Sequence, residues 1–171
     1  MVHSSAYARV ERERRFLAPG PPQRGVMAER RIVDRYLDGT RLRLRRSTPV
    51  GDGATPVSLK LTQKIPGRPW GTLTTVYLSE QEYAVLAALP ARTLVKRRLS
   101  VPPFGYDVFD GPLTGLVLAE AEFPDDERAA ALAVPAGLVE VTADARFTGG
   151  RLVAGDPAEA LRAASDLLAA R

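Results

Sequence analysis

Glycine and proline cut most of this chain into strand-sized pieces. Breaks fall at Pro19-Gly20-Pro21-Pro22, Pro66-Gly67-Arg68-Pro69, Pro102-Pro103-Phe104-Gly105 and Asp110-Gly111-Pro112. Proline fixes φ and removes a backbone donor, so each cluster ends whatever precedes it. Between the breaks, residues 8–17, 33–37, 41–47, 57–64, 72–78, 94–101, 106–109, 116–123 and 138–142 alternate or run apolar as strands do. That many short strands in 171 residues predict one domain over 1–171, mainly antiparallel β, built as a sandwich or a barrel.

Helices interrupt the pattern in three places. Ser79 and Glu82 form a capping box ahead of the stripe Tyr83, Leu86 and Leu89, which Pro90 ends. Asp156, Pro157 and Glu159 open a C-terminal helix whose Leu161, Ala164, Leu167 and Leu168 face the sheet. A third, short helix is expected from Pro124 to Leu132.

The informative feature is charge at a spacing of two. Glu11 and Glu13 share a strand face, with Arg15 next along it. Arg41, Arg43 and Arg45 share another, as do Lys60 and Lys64, Lys96 and Arg98, and Glu120 and Glu122. Side chains two apart on a strand stand about 6.5–7 Å from each other on one side. Like charges at that distance repel by about 2–3 kcal/mol at an effective dielectric near 20. A single such strand reads most simply as the solvated side of a half-buried sheet. Five together favour a sheet that gathers these faces inward. Clustered carboxylates suit a hard cation, and clustered arginine and lysine suit phosphate oxygens.

Composition narrows the chemistry. There is no cysteine, and the one histidine is His3 near the start of the chain. Thiolate nucleophiles, zinc-thiolate sites and a Ser-His-Asp triad are therefore excluded or lack a base. Any metal must be held by oxygen, which points to Mg²⁺ or Mn²⁺. The net charge of +4 favours an anionic partner. Aromatic residues, at 6%, do not interleave with the basic ones as base stacking would need, so no sequence-specific nucleic-acid binding is expected. No apolar run approaches the length of a membrane span and residues 1–15 lack an apolar signal core, so a cytoplasmic protein with no membrane association is expected. Trp70 is read as a packing or lid residue, and Tyr77, Tyr83, Tyr106 and Phe109 as core. The arginines at 12, 14, 30, 31 and 35 are read as solvated charge. Oligomeric state is not readable; a homodimer is the default for a small domain.

In order and spacing, several segments resemble one family. Glu11-Arg12-Glu13-Arg14-Arg15 is similar to the opening ExExK strand of CYTH domains, the triphosphate tunnel metalloenzymes. Tyr36-Leu37 through Arg41-Leu42-Arg43 resembles their YL…RxR strand, Ser58-Leu59-Lys60 their TxK strand, and Lys96-Arg97-Arg98 their KxR. Residues 107–123, ending Glu120-Ala121-Glu122-Phe123, and 140–147, Glu-Val-Thr-Ala-Asp-Ala-Arg-Phe, resemble the later motifs. The resemblance runs from about residue 9 to 154.

It implies an eight-stranded antiparallel tunnel that binds a triphosphate-containing small molecule with Mg²⁺ or Mn²⁺. Glu11, Glu13, Glu120 and Glu122 would be metal-side carboxylates. Arg41, Arg43, Lys60, Lys96 and Arg98 would hold phosphates. Glu11, Glu13, Arg15 and Asp107 would form the catalytic set. Two departures stand out: Arg15 replaces the motif lysine, and 72–77 reads Thr-Leu-Thr-Thr-Val-Tyr where the family often carries glutamates. The leading expectation is hydrolysis of inorganic triphosphate to pyrophosphate and phosphate. A class IV-type adenylyl cyclase, a nucleoside or thiamine triphosphatase, and a non-catalytic polyphosphate or nucleotide receptor are the alternatives.

Overall fold

The computed structural model describes residues 7–51 and 56–171; His3 lies outside them. Its ten strands are β1 (Arg9–Glu11), β2 (Glu13–Leu17), β3 (Ala28–Leu37), β4 (Leu42–Pro49), β5 (Ser58–Ile65), β6 (Gly71–Tyr77), β7 (Ala91–Val101), β8 (Phe104–Phe109), β9 (Val117–Glu122) and β10 (Val139–Glu140). Four helices accompany them: α1 (Glu80–Ala87), α2 (Asp126–Ala131), α3 (Gly149–Ala154) and α4 (Pro157–Ala169). All strand pairs are antiparallel, in the order β1-β6-β5-β4-β3-β7-β8-β9-β2-β10.

The chain is mainly antiparallel β with a C-terminal helix, as expected, but it has ten strands rather than eight, in a sheet whose ladder does not close. The reason lies in the first strand. Residues 8–17 do not form one strand: the ladder breaks at Arg12, and the two halves part company. β1 pairs with β6 and β2 with β9, at opposite ends of the strand order. One residue of chain thus joins the strand at one end of the sheet to the last but one at the other. The sheet curls enough that Glu13 on β2 feels the charge of Lys64 on β5, six strands away in the order.

Curling gives the sheet a charged concave side and an apolar end. Leu17, Leu94, Phe109 and Leu118 form a core with Leu113, Leu116, Val141, Phe147, Leu152, Ala163 and Ala164. α4 packs this end through the face expected from its sequence, with Leu161, Leu167 and Leu168 half-buried against the core. Its N-cap is Asp156, which accepts from the Ala158 N–H, and Pro157 stands in the first turn. α3 was not expected; it is short, and its Leu152 completes the core. α1 carries the expected capping box but has no buried residue, and it lies over β4 and β5. On the outer side Phe16 meets Phe104 edge-on at 5.8 Å.

Two expectations about aromatics and arginines are corrected. Phe109 is core, but Tyr77 is 71% exposed because it ends β6 at the rim. Arg14 is not solvated charge: it is bidentate to Glu140 at 2.7 and 2.8 Å, and so ties β2 to the closing segment. No helix among the described residues is long and apolar enough to cross a membrane.

Candidate functional site

Directly opposed residues of an antiparallel ladder share a face. The registers therefore place Glu11, Glu13 and Arg15, Asp34, Arg43 and Arg45, Lys60, Thr62 and Lys64, Lys96 and Arg98, Asp107, and Glu120 and Glu122 on one continuous side. This is the concave side, and its charges interlock.

One cluster spans β3 and β4. Asp34 is fully buried at 0% exposure. It accepts from Arg45 Nε at 2.6 Å and Nη2 at 2.7 Å, and its Oδ1 lies 3.6 Å from Arg43 Nε. Burial alone would raise the carboxyl, but Arg45 and then Arg43 outweigh it and hold Asp34 at about 2. Arg43 Nε is buried and makes no hydrogen bond among the described residues. A buried donor left without a hydrogen bond is costly, and here the charge of Asp34, 3.6 Å away, offsets that cost.

The second cluster runs across β7, β8, β9 and β2. Asp107, also 0% exposed, accepts from Lys96 and from Arg98 Nε at 2.6 Å and Nη2 at 2.7 Å. Arg98 Nη2 also donates to Glu120 at 2.5 Å. Glu120 accepts from Arg15 Nε at 3.1 Å, and Arg15 closes the chain on Glu13. Burial lowers Lys96, with Asp107 opposing it. Burial works to raise Glu120 as well, yet Arg98, Lys96 and Arg15 hold it well below the usual carboxylate value. Glu13 is the exception. Burial and then the charge of Glu120 push it up to about 7, against the pull of Arg15 and Lys64.

The third wall is plainer. Lys64 pairs with Glu11 at 2.5 Å, the Thr62 and Thr75 hydroxyls share a hydrogen bond of 3.1 Å, and Lys60 Nζ stands 4.9 Å from the Tyr77 ring centre. β6 presents Leu73, Thr75 and Tyr77 to this side, so its lack of acids extends to the folded wall.

Most expected site residues thus come together: Glu11, Glu13, Arg15, Arg43, Lys60, Lys96, Arg98, Asp107 and Glu120. Two stand apart. Arg41 precedes β4 and is exposed, and Glu122 is exposed at the end of β9. Among the described residues no three acids converge as a metal-binding group. Four participants were missed or undervalued. Arg45 was placed on the right face but not in the site set. Asp34 was passed over, and Arg30, read as solvated charge, binds Ser47 at 2.7 Å from its hydroxyl. Gly105 was read as loop, but it lies in β8 opposite Glu120. A Cβ there would meet Arg98 Cδ at 3.2 Å, so glycine leaves the space Arg98 crosses to reach Glu120.

The rim is fastened at the split strand. Asp126, at the start of α2, accepts from Arg12 and from Trp70 Nε1 at 3.1 Å. Trp70, which sits just before β6, is therefore held to the opposite side of the gap between β1 and β2. Arg9, Val10, Arg12, Glu122, Phe123 and Pro124 line a cleft of ≈ 460 Å³ there. The segment after β9 is structural: Thr142 accepts from the Arg15 N–H at 3.0 Å, and Asp144 pairs with Arg146 at 2.6 Å.

No protein-family model matches the chain, and no curated protein matches it. Solved structures do. One, of the hypothetical protein NE1496, is 25% identical with a TM-score of 0.55, and the match covers 86% of this chain and 99% of that one. Another, of the inorganic triphosphatase NE1496, is 24% identical with a TM-score of 0.54, covering 85% and 95%. This chain therefore shares its fold with NE1496 over 86% of its own length and nearly all of that chain.

Proposed function

We propose that this protein is a CYTH-type triphosphate tunnel enzyme that hydrolyses inorganic triphosphate to pyrophosphate and phosphate. One observation carries it. Arg15, Arg43, Arg45, Lys60, Lys64, Lys96 and Arg98 line one concave side, and all but Lys60 are paired there with an acid. Preorganised cations of this kind stabilise the charge that spreads over a transferred phosphoryl group. The likeness to an inorganic triphosphatase supports the same substrate class.

Arg43, Arg45, Lys96 and Arg98 would grip the inner phosphates, Lys60 those nearer the rim, and Arg41 the approach. Arg15 keeps its proton at any working pH and acts by charge alone. Glu13, pushed up to about 7, is the carboxylate suited to take a proton from an attacking water. Asp107 has its oxygens committed to Lys96 and Arg98, so its role is to position them.

Mg²⁺ or Mn²⁺ fits the donor chemistry of the opposite wall. Glu11, Glu13, Glu120 and Glu122 offer only oxygen, and burial with the nearby Glu120 and Glu11 charges pushes up the Glu13 carboxyl despite its pairing with Arg15. No three of them converge among the described residues; Glu11, Glu13 and Glu120 on the concave side would have to draw together to hold the ion, which when bound would neutralise phosphate charge. The plain β6 wall favours a second reading, a polyphosphate receptor without turnover: Leu73, Thr75 and Tyr77 offer no carboxylate to hold a divalent metal or take a proton from water.

Incubation with tripolyphosphate and Mg²⁺ or Mn²⁺, with products resolved by ion chromatography, separates the two. Phosphate and pyrophosphate in equal amounts, lost in Glu13→Gln, support the enzyme. Binding without products supports the receptor.

A further inference from the structure

An anion site is built from cations, yet a fully buried acid sits at the centre of this one. Asp34 lies in the middle of β3, directly opposite Arg45 on β4. Its carboxylate takes the Nε–Nη2 edge of Arg45 as a fork, at 2.6 and 2.7 Å, and approaches Arg43 Nε at 3.6 Å. Two arginines two residues apart on one face repel each other, and each has a long side chain with many rotamers. A carboxylate between them removes both problems. It fixes one guanidinium by bidentate geometry and draws the other in by charge.

The same device occurs on the other side of β3. Asp107 on β8 takes Arg98 by the same Nε–Nη2 edge, at 2.6 and 2.7 Å, and holds Lys96 as well. Each of the two buried aspartates therefore clamps two cations spaced two residues apart on one strand: Asp34 those of β4, Asp107 those of β7. Arg43 Nε, buried and without a hydrogen bond among the described residues, is held to Asp34 by charge.

We infer that Asp34 is a positioning residue of the triphosphate site, holding Arg45 by its fork and Arg43 by its charge so that both guanidiniums meet the same stretch of phosphate chain. The inference rests on the triphosphate reading above. It makes a prediction whose sign is informative. If Asp34 were only a negative charge near an anion, removing that charge would tighten binding. If it positions the arginines, removing it weakens binding, because the guanidiniums lose their fixed geometry.

The test is calorimetric titration of tripolyphosphate into wild type, Asp34→Asn, Arg45→Gln and the double variant, with thermal unfolding run on each. Asp34→Asn is expected to bind about tenfold more weakly or worse, while in the Arg45→Gln background it adds at most a small further loss. That non-additivity is what a merely structural aspartate would not produce. Tighter or unchanged binding by Asp34→Asn overturns the inference. If Asp34→Asn does not fold, Arg45→Gln and the double variant, which removes both partners together, decide: equal affinities support the inference and a further tenfold loss overturns it. Failure of the wild type to bind tripolyphosphate overturns the underlying reading, and this inference with it.

Discussion

Arg98 on β7 donates to Glu120 on β9 at 2.5 Å, passing over Gly105 on the strand between them. That contact links the phosphate-side cations to the acidic wall. Gly105→Ala puts a methyl 3.2 Å from Arg98 Cδ, inside normal contact. The variant is expected to lose about 1–2 kcal/mol in urea unfolding, as overpacked sites do. Its affinity for tripolyphosphate should fall with it, because Arg98 is displaced.

Acid should weaken the fold through Asp34. Its folded carboxyl sits at about 2, below its ordinary value of 3.8. A depressed acid contributes stability that is present above the unfolded value and is lost as pH falls through the folded one. Between pH 5 and 2, wild type should therefore lose about 2 kcal/mol more than Asp34→Asn. Denaturant melts of the two proteins across that range measure the difference.

Gly149 opens α3 directly against Tyr36, whose hydroxyl an added Cβ would overlap, with Cζ 3.1 Å away. Tyr36 is half-buried against the core, and its hydroxyl is pushed up to about 12, chiefly by desolvation. Gly149→Ala is expected to cost about 2 kcal/mol. Tyr36→Phe in the same chain should recover part of it by removing the overlapping oxygen. Thermal unfolding of the single and double variants shows whether the clash is the cause.

Asp126 fastens the seam of the split strand but stands largely exposed. Its ion pair with Arg12 should therefore add less than about 1 kcal/mol to global stability. Asp126→Ala frees Arg12 and Trp70 together, so local opening is the sensitive readout. Amides of β1 and β6 should exchange faster than in wild type, while those of β3 and β7 keep their rates.

Much of this site was legible because strands repeat every two residues. Glu11, Glu13 and Arg15, and likewise Lys96 and Arg98, land on the concave side from spacing alone. Asp34 was not legible in that way. It sits between Arg31 and Arg35, which read as solvated charge, and only the register opposite Arg45 reveals its partner. Gly105 was hidden in a Pro-Pro-Phe-Gly run that looks like a turn, although its missing side chain is what Arg98 requires. The break at Arg12 was unreadable for a different reason. Alternation continues through it, and only the two pairing partners on either side, β6 and β9, divide the strand. Tyr77 was misjudged because an aromatic in an alternating strand is usually core, whereas this one ends at the rim.

The most direct test of the charged concave side as a triphosphate site is a chain-length series: calorimetric titration of orthophosphate, pyrophosphate and tripolyphosphate into the wild-type protein at one ionic strength. Cations fixed on both sides of β3 should engage successive phosphates, so affinity should rise steeply with each added phosphate and tripolyphosphate should bind most tightly. Equal, weak affinities for all three would contradict it, leaving a sheet whose charges serve only one another.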